Sequence, residues 1–389
     1  MIDSLNPKLG FYMVGSQRYK SKIDACIAGT QKNTNPQWYF CDNVWNNLDW
    51  THEPEISILD LYKIRARQIR ETYDYVIVNY SGGSDSQSLV DAFFDAGCHI
   101  DEIVTIWNRK HTNKVITNLG ATDPRNIEAE FELTTRQGLD QIRARSPNTK
   151  ITYYDVSSAT IERFQHYDGE EWLKTTTEHL NPHFVTRWST TREKEQLITL
   201  DRGLKTAIVV GVDKPRVCIK DNRYAVYFVD TLVNNCQGGY DNHDYDNAEL
   251  VLFYWDPDLP EIIVKQAHMI MRWFEQNPML KSILNWPNHS YTSRQAYELI
   301  SRGIIYPKWK LDTFQCQKPG SPVWCDWDDW FFQGFKNTSE YHCWHKGIEY
   351  IEKNVDKKYI KYTFDNKFDG LTSMINGHFY LQKHNDQTL

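Results

Sequence analysis

The stretch that most constrains the fold is "YVIVNYSGGSDSQSLV", Tyr75 to Val90. The segment before its turn, "YDYVIVNY", is short, apolar and rich in β-branched and aromatic residues, the pattern of a strand buried on both faces. After the turn, "SQSLVDAFFDAG" sets Leu89, Val90, Phe93 and Phe94 on one helical face, and Gly97 offers a stop. Gly82 and Gly83 carry no Cβ, so backbone N–H groups in the turn can curl around an anion. The helix N-terminus adds partial positive charge at the same spot. Ser81, Ser84 and Ser86 supply hydroxyl donors, and Asp85 supplies a carboxylate. A carboxylate in a phosphate cradle is repulsive unless a cation sits between the two. Magnesium, an oxygen-seeking ion, is the natural candidate, with Asp85 as its ligand.

From this unit onward strand and helix patterns alternate, which argues for an α/β fold with a doubly wound, mostly parallel sheet. "HIDEIVTIW" and "TKITYYDVS" read as the second and third strands, with "NIEAEFELTTRQGLDQIRARS" as a helix between them. Helices are expected near Ala159 to Leu180 and over "TREKEQLITLDRGL", and "KTAIVVGVDKPRV" is the fourth strand. The pattern then changes. "CIKDNRYAVYFVDT" alternates like an antiparallel hairpin around Asp221 and Asn222, "AELVLFYW" is a strand and "LPEIIVKQAHMIMRWFEQ" a helix.

Upstream, "KLGFYMVGSQ" reads as a strand and "SKIDACIAGTQ" as a short helix. "ISILDLYKIRARQIRETY" is an amphipathic helix with Ile58, Leu61, Tyr62, Arg65 and Ile69 at helical spacing. The expected organisation is an N-terminal extension over residues 1–72, a nucleotide-binding domain over 73–281, and an aromatic-rich C-terminal accessory region over 282–389.

In a doubly wound sheet, ligands lie across the C-terminal strand edge where strand order reverses, so the ends of strands one, two and four should converge. Strand four ends in "GVDKPRV". Gly211 permits close backbone approach, Lys214 and Arg216 can neutralise phosphate charge, and Asp213 can bind a metal or a substrate amine. Strand two ends in "IWNRK", where backbone groups of Ile106 and Trp107 can read a base edge and Arg109 or Lys110 can reach phosphates. The plainer alternative makes Trp107 core and the basic pair solvated.

At Ser81 to Ser86, "SGGSDS" resembles the SGGxDS signature of the PP-loop ATP pyrophosphatases, the adenine nucleotide alpha hydrolase-like superfamily. The match covers Ser81, Gly82, Gly83, Asp85 and Ser86. The resemblance implies a Rossmann-like (HUP) fold that binds ATP and magnesium and cleaves ATP to AMP and pyrophosphate. In doing so it adenylates a small-molecule or nucleotide-like acceptor, as ligases and thiolases of that superfamily do. Lys214 would then stabilise the leaving pyrophosphate beside Asp85. "GVDKPR" is most similar to the sulfonucleotide (phosphoadenosine phosphosulfate) reductase branch, which carries a glycine and basic residues at that strand end. Two rival readings follow: a sulfonucleotide oxidoreductase, which needs a catalytic thiol, and a non-catalytic nucleotide sensor. The other common phosphate loop is absent, because the nearest match to GxxxxGK[ST], "GFYMVGSQ" from Gly10 to Gln17, lacks the lysine.

At 389 residues, with 40% hydrophobic and 24% charged residues, the composition is that of a soluble globular protein. No apolar run reaches the roughly 18 residues of a membrane helix, and no secretory signal is visible at the start. The eight cysteines include no CxxC pair, which suggests reduced thiols and a cytoplasmic setting. A net charge of −7 argues against bulk nucleic-acid binding.

Cys316, Cys325, Cys343 and His345 form a candidate zinc set without the close spacing of structural sites. "EYHCWH" resembles the Glu-Cys-Gly-x-His tail of sulfonucleotide reductases, but two residues separate Glu340 from Cys343. "DNHDYDN" at 241–247 lacks the glycine and distal glutamate of a calcium loop. Pro182 prevents a helix from aligning His179 with His183. Trp324, Trp327 and Trp330 sit at helical spacing, either as a packing face or as a stacking platform.

Overall fold

The computed structural model describes residues 7–106, 131–154, 203–230, 233, 247–287, 291–309, 339–362, 366 and 368–382. The helices expected near 159–180 and 191–204, save the last two residues of the latter, lie outside this set.

The chain begins with β1 (Phe11–Val14), β2 (Gln17–Tyr19), α1 (Lys22–Lys32), β3 (Gln37–Tyr39) and α2 (Asp42–Trp45). The three strands form an antiparallel sheet of order β2-β1-β3. Ser21 caps α1 by accepting from the Asp24 N–H, and Asn33 ends it in the left-handed region, at φ 48°. The amphipathic helix read from the sequence is α3 (Ile58–Thr72), capped by Ser57, and its five spaced positions are all buried.

The alternating region builds β4 (Tyr75–Asn79), α4 (Ser84–Asp95), β5 (Glu102–Ile106), α5 (Arg136–Arg145), β6 (Lys150–Tyr154) and β7 (Thr206–Val210). After them come β8 (Arg216–Lys220), β9 (Arg223–Tyr227), β10 (Ala248–Leu252) and α6 (Glu261–Gln276). Five of these strands make one sheet of order β10-β7-β4-β5-β6, and every neighbouring pair is parallel. The fold is therefore α/β, with a parallel sheet flanked by helices. The sheet grows outward from β4 through β5 to β6, then returns to the other side of β4 at β7. Strand order thus reverses between β4 and β7, the position at which doubly wound sheets carry their ligand crevice. Burial on both faces explains the apolar runs: all five residues of β7 are buried, as are the three central ones of β4.

The hairpin forms where the alternation placed it. β8 and β9 pair antiparallel, Lys220 opposite Arg223, and both turn residues take positive φ, 52° at Asp221 and 56° at Asn222. Aspartate and asparagine tolerate that region better than other side chains, and a turn of that hand matches strand twist. The C-terminal region contributes α7 (Tyr291–Ile305), α8 (Ser339–Asn354), the paired β11 (Ile360–Tyr362) and β12 (Phe368–Leu371), and β13 (Phe379–Tyr380) beside β9.

The three sequence segments share one hydrophobic core. Phe228 is the hub of an aromatic cluster, with ring centroids 4.7 Å from Trp45, 5.0 Å from Trp255, 5.3 Å from Phe40 and 6.0 Å from Phe379. Residues from the N-terminal extension and the C-terminal region therefore pack on the same ring, which accounts for part of the aromatic richness. Helix α3 packs against both α4 and α6. Its Arg65 is buried and pairs with Asp256 and the Leu252 carbonyl at the exit of β10. Among the described residues no helix is long and apolar enough to cross a membrane.

Candidate functional site

The turn after β4 is tied down by its own hydroxyls and by residues just before α5. Ser86 Oγ donates to the Gly83 carbonyl at 3.1 Å and accepts from the Ser81 N–H at 3.3 Å. Thr135 Oγ1 donates to the Ser81 carbonyl at 2.7 Å. Gly82 takes φ 73°, and a Cβ there would lie 2.7 Å from Thr135 Cα, so both backbone and space require glycine. Gly83 is different. It is the N-cap of α4 at φ −72°, and among the described residues an added Cβ would meet only Ser81 Oγ, at an ordinary 3.4 Å. No other described residue covers that face.

Among the described residues no side chain caps the first amides of α4, which leaves them available to a ligand. Ser84, the first helical residue, is 5% exposed, and its hydroxyl has no partner among the described residues. Thr134, next to the residue packed on Gly82, is 4% exposed, and its hydroxyl also lacks a partner. Native structures rarely leave a buried hydroxyl unpaired without an ion, water or ligand to satisfy it. An orphaned hydroxyl, open amides and a glycine with a free face all fit an anion at the start of α4.

The end of β7 lies against this loop, as the strand order requires. A Cβ on Gly211 would sit 3.1 Å from the Asp85 carbonyl carbon and 3.2 Å from the Ser86 nitrogen. Gly211 thus permits close approach of the loop itself. Lys214 Nζ lies 2.8 Å from Asp85 Oδ1, 3.0 Å from Asp213 Oδ1 and 3.3 Å from Glu298 Oε2, with its side chain 3% exposed. An ammonium has three donors, and three carboxylates surround it. Arg216 pairs with Asp213 Oδ2 at 3.0 Å and with Glu298 Oε1. Arg302 stands 3.9 Å from Glu298.

Opposite charges set the protonation of this cluster. Burial pushes the Asp85 carboxyl up, but the Lys214 charge and hydrogen bonds from Lys214 and Tyr306 outweigh it, so the group titrates below its ordinary value. Glu298 behaves alike: burial is overcome by Arg216, Lys214 and Arg302, and its carboxyl is held far down. Burial lowers the Lys214 ammonium, yet Asp213, Asp85 and Glu298 together raise it. All three side chains are charged at neutral pH.

The sequence reading aimed Lys214 and Arg216 at phosphate; in this structure both meet carboxylates, because α7 inserts Glu298 between them. Asp213 commits one oxygen to Lys214 and the other to Arg216. Asp85 differs: Oδ1 takes both Lys214 and the Tyr306 hydroxyl, while Oδ2 accepts nothing among the described residues, on a side chain 26% exposed. Of the two residues expected at a metal, only Asp85 keeps an oxygen available. No group of three or more His, Cys, Asp or Glu residues that could hold a metal occurs among the described residues.

Ile106 ends β5 at the same sheet edge. Trp107, Arg109 and Lys110 lie outside the described residues, as do His179, His183, 241–246, Cys316, Cys325 and the tryptophans at 324, 327 and 330. Cys343 falls on α8, where His345 pairs with Glu349 at 3.2 Å. The described cysteines Cys26, Cys41, Cys98 and Cys218 are unbridged. Burial pushes the thiols of Cys26, Cys41 and Cys218 up to about 12 and raises Cys98, so none is a ready thiolate.

Sequence reasoning missed Glu298, Tyr254, Tyr306 and the pair Thr134 and Thr135. Tyr254 OH donates to the Asp85 carbonyl at 2.9 Å. One signal was present: Glu298, Arg302 and Tyr306 recur every four residues, the spacing of a single helical face. In comparison with known proteins, no family model and no curated protein matches the chain.

Proposed function

We propose that the crevice between β4 and β7 binds ATP with magnesium, and that the enzyme cleaves the bond between the α and β phosphates to adenylate an acceptor. The observation that carries this reading is the open N-terminus of α4: Gly83 with a free face, uncapped amides and the unpartnered Ser84 hydroxyl beside a carboxylate with one spare oxygen. That donor set suits the pyrophosphate portion of a nucleotide.

Asp85 Oδ2 would hold magnesium, the hard cation that oxygen ligands select. Magnesium bound there would neutralise charge on the phosphate oxygens. The chain's own share is electrostatic. The α4 amides and the Ser84 hydroxyl face the charge that grows on the leaving group, already oriented before reaction. An acceptor oxygen attacks the α phosphorus, the α–β P–O bond breaks, and its electron pair leaves with pyrophosphate. A nitrogen or sulfur nucleophile then displaces AMP from the adenylated acceptor. Lys214 enters as the group that fixes Asp85, since its donors are directed at carboxylates. The sulfonucleotide reductase alternative needs a thiolate, and burial works against one at Cys26, Cys41, Cys98 and Cys218.

Incubating the protein with magnesium, a cell extract and ATP labelled at the α and γ positions should yield AMP and pyrophosphate without ADP. Asp85→Ala should abolish both products. Stoichiometric ADP and orthophosphate, lost in the same variant, would sink the pyrophosphatase reading.

A further inference from the structure

The two oxygens of Asp85 are not equivalent. A free aspartate rotates about its last torsion over a broad, two-fold profile, so either oxygen can face a ligand. Here the Tyr306 hydroxyl donates to Oδ1 at 2.5 Å and Lys214 Nζ donates to the same atom at 2.8 Å. Two donors on one oxygen restrict the carboxylate and leave Oδ2, on a partly exposed side chain, without a partner among the described residues.

Tyr306 is itself held from several directions. Its ring is fully buried, with its centroid 5.6 Å from that of Tyr254 and 6.5 Å from that of Tyr62. The backbone just before it is fixed as well, because Tyr62 OH donates to the Ile305 carbonyl at 2.9 Å. Gln266 on α6 donates in turn to the Tyr62 hydroxyl at 2.7 Å. An ionised carboxylate only accepts, so the phenol must be the donor of this bond. Tyr254 grips the same aspartate by its main chain, at the carbonyl oxygen. Side chain and backbone of Asp85 are thus each held by one phenol of a contacting pair.

We propose that Tyr306, delivered by the C-terminal region at the end of α7, is the positioning residue of the loop site, holding Asp85 Oδ1 so that Oδ2 is presented to the cation that accompanies the nucleotide. This rests on the reading of the loop as a magnesium–nucleotide site. Groups that orient a metal-binding carboxylate typically change metal affinity 10- to 100-fold when removed. Tyr306 touches no reacting atom, so it acts through Asp85 alone.

The test is calorimetric titration of ATP into wild type, Tyr306→Phe, Asp85→Asn and the double variant, each with magnesium and with chelator, after thermal melts establish that the variants fold. Tyr306→Phe keeps the buried ring and deletes only the hydroxyl. It should weaken ATP binding about 10- to 100-fold with magnesium and by no more than about twofold with chelator. In the Asp85→Asn background the added Tyr306→Phe change should cost no more than about twofold, because the group it acts through is gone. Tyr254→Phe loosens the backbone rather than the carboxylate, so its loss should be the same with and without the metal. Equal loss in Tyr306→Phe with magnesium and with chelator, or in both backgrounds, would make Tyr306 a structural prop and overturn the inference. An unchanged affinity would do the same. Wild type that binds no ATP in magnesium overturns the site reading as well, which separates the two failures.

Discussion

A methyl group at position 82 would collide with the Thr135 backbone at 2.7 Å and force a left-handed conformation on a side chain, whereas one at position 83 would meet a single oxygen at contact distance. The two neighbouring glycines therefore answer to different constraints. Gly82 serves the fold, since residues 134–135 must lie directly on it. At Gly83 no contact among the described residues requires the absence of a side chain. Gly82→Ala is expected to destabilise by more than about 2 kcal/mol, combining left-handed strain with a backbone clash. Gly83→Ala should stay within about 1 kcal/mol of wild type, because a lost N-cap glycine is offset by reduced freedom of the unfolded chain. It should nonetheless cost most of the ATP affinity. Urea unfolding and calorimetry on both variants check the contrast; a Gly83→Ala protein that binds ATP as wild type does would remove the glycine from the site.

Among the elements, α7 matters most to the site. It presents Glu298 to Lys214 and Arg216, and the residue that follows it, Tyr306, reaches Asp85. The same helix sends Tyr297 to the start of β8, where its hydroxyl accepts from the Val217 N–H at 3.0 Å and donates to the Pro215 carbonyl. The "DKPR" turn is thus clamped by one helix on both its side chains and its backbone.

The pH behaviour of this clamp follows from its shifted groups. Glu298 and Asp85 titrate below their ordinary values of 4.5 and 3.8, so their contribution is present above those values and fades as pH falls through the lower folded ones. Lys214, raised above 10.5, contributes fully below that value and loses it only in strong alkali. His378 acts separately. Burial among Tyr227 and Trp286, with Lys220 nearby, lowers it from 6.5 to about 4, so it costs stability as pH drops across that window. Glu298→Gln should lower stability at pH 7, with the gap to wild type closing below pH 4.5. Since His378 is present in both proteins, its titration cancels in the difference. Unfolding curves across that range measure the gap, and one that stays constant down to pH 2 would show that the carboxylate charge contributes nothing.

Across the whole molecule, the N-terminal extension is woven into the core. Lys22 on α1 and Asp230 beyond β9 form an ion pair with both side chains at 0% exposure. Tyr12 OH donates to the same carboxylate at 2.9 Å, and the Met374 N–H donates to its other oxygen at 2.9 Å. One buried charge pair therefore links the start, middle and end of the chain. Its net worth against an apolar pair is small, but removing one partner strands the other in a dry site. Lys22→Met is expected to cost about 3–5 kcal/mol, read as a lower urea midpoint with an unchanged slope. A loss under about 1 kcal/mol would show that Asp230 finds solvent or a proton elsewhere.

The sequence alone determined those features whose information is local. The strand–turn–helix at Tyr75 to Asp95, the amphipathic α3 and the hairpin at Asp221 and Asn222 were legible because periodicity, capping residues and turn glycines act over a few neighbouring positions. The alternation of elements also indicated a parallel sheet, and the position of "GVDKPR" at a strand end placed it near the loop. Only the tertiary structure decided what Lys214 and Asp85 touch. Their mutual contact spans 129 positions and that between Tyr306 and Asp85 spans 221, distances over which no local pattern is written. Lys214 looked free for phosphate because the sequence shows its charge but not the three carboxylates that the fold gathers around it. Charge is a property of a residue, whereas charge compensation belongs to an arrangement, and the arrangement exists only once β7 has returned beside β4 and α7 has closed over both.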